Sequence, residues 1–163
     1  MKDNNLAEKI WWNTIDHDIQ ELLRESQKLI NTANKWEEEF HDYAFIVFPA
    51  AKAYEGYLKH LFLKMGFITQ EDYDGKRFRI GKALNPSLEK HLRENESVYD
   101  KIVNFCNDET LADKLWEVWK NSRNMIFHWF PNEKNSISYD EAVDRVGQII
   151  AAFDMAHKEC RID

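Results

Sequence analysis

The chain has 163 residues, 44% of them hydrophobic and 13% aromatic, which is enough for one folded domain with its own core and excludes a disordered tail. With 31% charged residues, a mean hydropathy of −0.65 and a formal net charge of −7, the surface is expected to be well solvated and acidic, which counts against a broadly basic nucleic-acid-binding face. No apolar run reaches the roughly 18 to 20 residues needed to cross a bilayer, and residues 1–5 lack the apolar core of a secretory leader, so a cytoplasmic protein with no membrane partner is expected. Cys106 and Cys160 have no CxxC spacing and read as ordinary reduced thiols.

Only five glycines and three prolines interrupt the chain, and apolar residues recur at steps of three and four, so the expected fold class is all-α. A short segment with Leu6, Ile10, Trp11 and Trp12 comes first. A first amphipathic helix is expected over residues 16 to 36, with Ile19, Leu22, Leu23, Ser26, Leu29 and Ile30 on one stripe and Asp16 or Asp18 at its cap. The second long helix, residues 41 to 65, is the most apolar; Gly66 is placed to end it and Pro49 to bend or restart it. Residues 67 to 86 show no sustained period and read as a long connecting loop. Within residues 76 to 93, Lys76, Arg77, Arg79, Lys82, Lys90, His91 and Arg93 face the single carboxylate of Glu89, a basic stretch that reads either as a local patch or as a solvated face.

Two short helical pieces are expected over residues 87 to 94 and 98 to 105, then a strong helix from Asp108 or Glu109 to Phe127 or beyond, closed by Pro131. The last helix opens on a capping box of Ser138 and Glu141 and runs to Cys160. One domain spanning residues 1–163, a bundle of about four principal helices with short extra ones, follows from these segments.

Phe48, Ala51, Glu55, Leu58 and Phe62 alternate steps of three and four, which sets the Glu55 carboxylate in an apolar stripe and predicts a cation facing it. Lys52 and Lys59 bracket Glu55 and are candidates for local pairing. Arg123 is the long-range candidate, because it lies near the stripe of Trp116, Trp119, Ile126 and Phe127 and is expected to be partly buried. His128 follows five residues later, which on an ideal helix leaves the two side chains about 140° apart. They serve one site only if they flank a cleft or the helix loosens before Pro131. Asn124, four residues before His128, is placed to orient its imidazole.

These groups suit attack of an RNA 2′-hydroxyl on the adjacent phosphate, with His128 exchanging a proton, Arg123 gripping phosphoryl oxygens, and Glu55 orienting Arg123 or serving as a second proton-transfer group. Capping of terminal carbonyls by an isolated Arg and His near a helix end accounts equally well for the spacing. A metal-dependent helical enzyme is disfavoured, because His17, His41, His60, His91 and His157 form no HxxxH or ExxH pair on a shared helix face; no metal or other cofactor is expected.

Arg123-Asn124-Met125-Ile126-Phe127-His128 resembles the R-x4-6-H motif of HEPN domains, helical bundles that include many toxin and antiphage ribonucleases. Together with Ala53-Tyr54-Glu55-Gly56-Tyr57-Leu58-Lys59 it is similar to the HEPN domain of RNase LS-type toxins, across about residues 15 to 160. The resemblance implies a HEPN-like bundle and a metal-independent endoribonuclease of the toxin–antitoxin or antiviral-defence kind, with Glu55, Arg123 and His128 catalytic. It also implies a homodimer in which two motifs meet, and a possible cognate antitoxin. Trp129 and Phe130 are expected to pack in the core or to form that dimer interface. Lys52, Lys59, Arg77 and Arg79 are the cations expected to contact RNA. The rival expectation is a non-catalytic HEPN domain that binds nucleotide, RNA or a protein partner.

Overall fold

In the computed structural model, which describes residues 6–33 and 35–160, each long apolar period becomes a helix that buries its stripe against the next. Residues 1–5, read above as carrying no leader, lie outside the described residues, as do residues 161–163. Among the described residues all regular structure is helical, and no helix is long and apolar enough to cross a membrane. Three long helices, α1 (His17–Ala33), α2 (Ala44–Lys64) and α8 (Tyr139–Cys160), carry the core with α7 (Thr110–Trp119). Helix α1 lies along α2, α2 packs on α8, and α8 on α7. Short helices α3 (Gln70–Asp74), α4 (Ile80–Ala83), α5 (Lys90–Glu96) and α6 (Val98–Cys106) fill the connection from α2 to α7.

The α1 stripe faces inward as its spacing requires: Ile19, Leu23, Ser26 and Ile30 are buried, and Leu22 and Leu29 pack at the edge of the core. The helix stops at Ala33, so Trp36 is outside it, in an aromatic cluster with Phe40 and Phe45. Helix α2 runs through Pro49 without restarting. The proline has no N–H for the ladder and its ring crowds the preceding turn. Here the fully buried Ser26 hydroxyl of α1 is spliced into that ladder, accepting the Ala50 N–H at 2.9 Å and donating to the Ile46 carbonyl at 2.8 Å. Gly66, at φ +69°, ends α2 with paired bonds from Gly66 N–H to Leu63 O and from Phe67 N–H to Phe62 O, an arrangement that needs the left-handed backbone glycine adopts freely.

Two expectations need correction. Residues 67 to 86 are not one loop: α3 forms behind a capping box of Thr69 and Asp72, and α4 buries Ile80 and Ala83. The strong helix does not reach Phe127 as α-helix, because it ends at Trp119 and widens into a π-turn, Lys120–Asn124. In the basic stretch, Arg93 is bound to Asp100 and Lys82 is paired to Glu96, while Arg79 donates to the Lys76 carbonyl.

The ends of the core are pinned by polar contacts. Asp154 of α8 accepts both Trp11 Nε1 and Lys9 Nζ at 2.6 Å, which ties the N-terminal 3-10 turn (Ile10–Thr14) to the last helix. Trp11, Tyr57 and Phe153 then stack around α8, and the Tyr54 hydroxyl donates to the Leu115 carbonyl. The expected Ser138–Glu141 capping box starts α8, with each residue's side chain taking the other's backbone N–H. Cys106 and Cys160 are free thiols on α6 and α8; burial is the main cause that raises both above the usual thiol pKa, Cys160 to about 12.

Candidate active site

The π-turn is what makes a composite site geometrically possible. Its Met125 N–H donates to the Lys120 carbonyl five residues back, so the helix is wider there and the chain leaves its axis immediately afterwards. Arg123 sits on the turn with its guanidinium 5.0 Å from the ring of Trp119, four residues earlier on α7. One Nη of Arg123 reaches Glu55 on α2, at 3.4 Å. This is a loose pair, and the two side chains are 39% and 40% exposed. Arg123 is therefore partly buried as expected, whereas Glu55 is not the buried carboxylate its stripe predicted. The stripe leaves the core at this end: Ala51, Leu58 and Phe62 are buried, but Phe48 is 52% exposed. A pair this open to water gains about 0–1 kcal/mol, so it orients the guanidinium more than it stabilises the fold.

His128 is beyond the π-turn, in a bend, and exposed. It is not on the last turn of a helix, as the sequence suggested. The turn nevertheless returns it to Asn124, whose Oδ1 is 3.2 Å from His128 Nε2. The backbone of this segment is held from outside by Asn135, whose side-chain amide donates to the carbonyls of both Met125 and His128. Phe127 packs edge-on against Phe48 at 5.5 Å between ring centres, closing the site toward the start of α2.

Phe48, Ala51, Lys52, Glu55, Arg123, Phe127 and His128 line one surface cleft of about 260 Å³. The structure thus brings together Glu55, Arg123 and His128, with Lys52 at the rim and Asn124 against the imidazole. Lys59 is elsewhere: its ammonium donates to the Tyr73 and Gly75 carbonyls at the end of α3 and is not the local partner of Glu55. Arg77 and Arg79 line a separate, larger depression with Phe67, Phe78 and Lys101, which shares no residue with the Glu55 cleft. No protein-family model, curated protein or solved structure matches the chain. What the site can do therefore rests on its own chemistry: a fixed guanidinium, a carboxylate and an accessible imidazole around one cleft.

Trp129 and Phe130 are not core residues. They are 75% and 38% exposed, because the chain has left the helix and runs on without helical structure, carrying both side chains away from α7. Two contributors went unread in the sequence. Asn135, in the connection to α8, carries no spacing signal toward residues 125 to 128. Gly81 of α4 lies directly under Trp119, where an added Cβ would be 2.8 Å from the indole nitrogen. The support of Arg123 by Trp119 was legible as an i, i+4 spacing.

Proposed function

We propose that the protein is a metal-independent endoribonuclease of the HEPN type, acting as a homodimer in a toxin–antitoxin or antiviral-defence setting. The observation that carries this reading is the convergence of Glu55 from α2 with Arg123 and His128 from the π-turn segment on one cleft. In the proposed reaction the 2′-oxygen attacks the adjacent phosphorus. The bond from 2′-oxygen to phosphorus forms as the bond from phosphorus to 5′-oxygen breaks, leaving a 2′,3′-cyclic phosphate and a 5′-hydroxyl. His128 takes the 2′-hydroxyl proton, and the motif histidine of the second copy, in the same dimer cleft, protonates the departing 5′-oxygen. Arg123 presents two N–H groups to the phosphoryl oxygens, where charge builds in the transition state. Glu55 holds that guanidinium toward the cleft, and Asn124 holds the imidazole.

Incubating the purified protein with structured RNA in EDTA tests the reading. Fragments ending in 2′,3′-cyclic phosphate, lost in both Arg123→Ala and His128→Ala, are the expected result. A folded protein that binds RNA or nucleotide and leaves RNA intact would replace the ribonuclease with a binding module.

A further inference from the structure

Two charged surfaces lie outside the Glu55 cleft. One is the loop between α1 and α2, where Trp36-Glu37-Glu38-Glu39-Phe40 is exposed throughout. The rings of Trp36 and Phe40 are 5.2 Å apart and both pack on Phe45, so the chain between them doubles back and the three glutamates stand on the outside of a closed turn. None of the three has a hydrogen bond or ion pair among the described residues. The other is the depression of about 600 Å³ that holds Arg77 and Arg79. Four cations and two carboxylates line it, in a chain of net charge −7. Of the carboxylates, Glu96 is paired with Lys82 and Asp72 accepts from the Thr69 N–H and hydroxyl. Arg79 bonds the Lys76 carbonyl, which carries no net charge, and Arg77 has no polar contact among the described residues.

We infer that these two surfaces fit each other between copies of this chain, the Glu37 to Glu39 loop of one copy entering the Arg77 and Arg79 cleft of the next. The contact is independent of the ribonuclease reading. Within one chain the two cannot meet: the loop ends just before Ala44, the cleft begins at Gly66, and the 21 residues of α2 hold them about 30 Å apart. The match has a charged part and an apolar part. Three carboxylates without partners face two guanidiniums without carboxylates, and a guanidinium takes a carboxylate through two parallel N–H bonds. Exposed Trp36 and Phe40 flank the glutamates, while Phe67 and Phe78 line the cleft and exposed Phe105 extends its apolar wall, 6.3 Å from Phe67 between ring centres. Aromatic residues and arginine are the side chains enriched where proteins meet. A nucleic-acid backbone is followed by a basic stripe, whereas these cations are gathered in one concavity of an acidic chain, the form that receives a short acidic finger. Because the two faces differ, the contact repeats from copy to copy, unlike the symmetric pairing proposed for the Arg123 to His128 segment.

The test is light scattering of the full chain at concentrations up to about 1 mM, with two charge-reversed variants: Arg77→Glu with Arg79→Glu in the cleft, and Glu37→Lys with Glu38→Lys and Glu39→Lys in the loop. The wild type should grow in mass beyond a dimer as concentration rises, and stop doing so in about 1 M salt, where charges are screened beyond about 3 Å. Each variant alone should associate at least tenfold more weakly, on the order expected when like charges are set face to face. Loop reversal moves the net charge toward zero, which by itself favours association, so a fall there belongs to the specific contact. Mixed in equal amounts, the two variants should associate again, because each then offers the other an opposite charge at both faces; misfolded variants would not recover. A wild type of constant mass at every concentration, or a mixture no larger than the separate variants, overturns the inference. A wild type of constant mass whose calorimetric binding of inorganic phosphate is lost on cleft reversal assigns the cleft to a small anion. The same loss for a 2′-O-methylated RNA strand assigns it to nucleic acid, and either result overturns the contact between copies.

Discussion

Replacing Ser26 with alanine removes a single oxygen atom, yet that oxygen closes a gap in a different helix. It accepts from the Ala50 N–H at 2.9 Å and donates to the Ile46 carbonyl at 2.8 Å, and it is wholly buried. In an ordinary helix these two backbone groups would bond each other, but Pro49 between them opens the ladder. Without the hydroxyl, one donor and one acceptor are left inside the core, each worth about 1–3 kcal/mol of lost desolvation. Partial re-closure of the helix lowers the sum, so a loss of about 2–4 kcal/mol is expected, a large share of a typical margin of about 5–15 kcal/mol. Urea unfolding followed by circular dichroism should show a lower midpoint with an unchanged slope, and Tm lower by about 4–16 °C for a chain of this size. In a Pro49→Ala background the ladder can close directly, so Ser26→Ala should cost at least about 1 kcal/mol less there. A Ser26→Ala cost below about 0.5 kcal/mol, or the same cost with and without Pro49, would refute the splice.

Other expectations are narrower. Gly81→Ala should displace Trp119, whose indole nitrogen stands 2.8 Å from where the new Cβ would be, lowering stability by about 1–3 kcal/mol and RNA cleavage with it, read by denaturant melts and product gels. Arg123→Lys should keep the charge yet lose most of the cleavage rate, because an ammonium cannot make the two-pronged grip; unchanged kcat would remove that role. Asn135→Ala frees the carbonyls of Met125 and His128, so cleavage should fall while the unfolding midpoint changes little, the site being near the surface. The hydrogen bonds from Arg93 hold Asp100 below the usual carboxylate range. Its contribution to stability is therefore present above the unfolded carboxylate value, near pH 4, and is lost as pH falls through the lowered folded value. Unfolding measured between about pH 2 and 6 should show an acid-side slope that flattens in Asp100→Asn.

The long helices were readable because each buries a stripe at regular spacing, as with Ile19, Leu23, Ser26 and Ile30 on α1. The helices α3 and α4 were missed because each is one turn or little more, too short to display a period, although Thr69 and Asp72 carry a cap signal. Ser26 was visible as a stripe position, but nothing local tells that a hydroxyl on one helix completes another. Glu55 and Arg123 were paired from the need of a carboxylate for a cation, yet the depth of Glu55 was misjudged, since a helix stripe does not reveal where the core ends. His128 was placed by assuming that an α-helix continues to its proline. The loosening that the 140° mismatch demanded is real, and it takes a form, the π-turn, for which the residues Lys120 to Asn124 give no local warning.

A π-turn is an α-helix holding one surplus residue. The angular relation of Arg123 to His128 is therefore set by how the backbone is wound between Trp119 and Met125, and counting the residues between them does not determine it. Removing one residue from Lys120–Asn124 would let the segment rewind as α-helix while the chain beyond it keeps nearly its direction, because the wide turn spends one extra residue on the same rotation. By the same logic, a helix able to gain or shed one such residue tolerates several spacings between an arginine and a histidine while keeping the two on a common cleft.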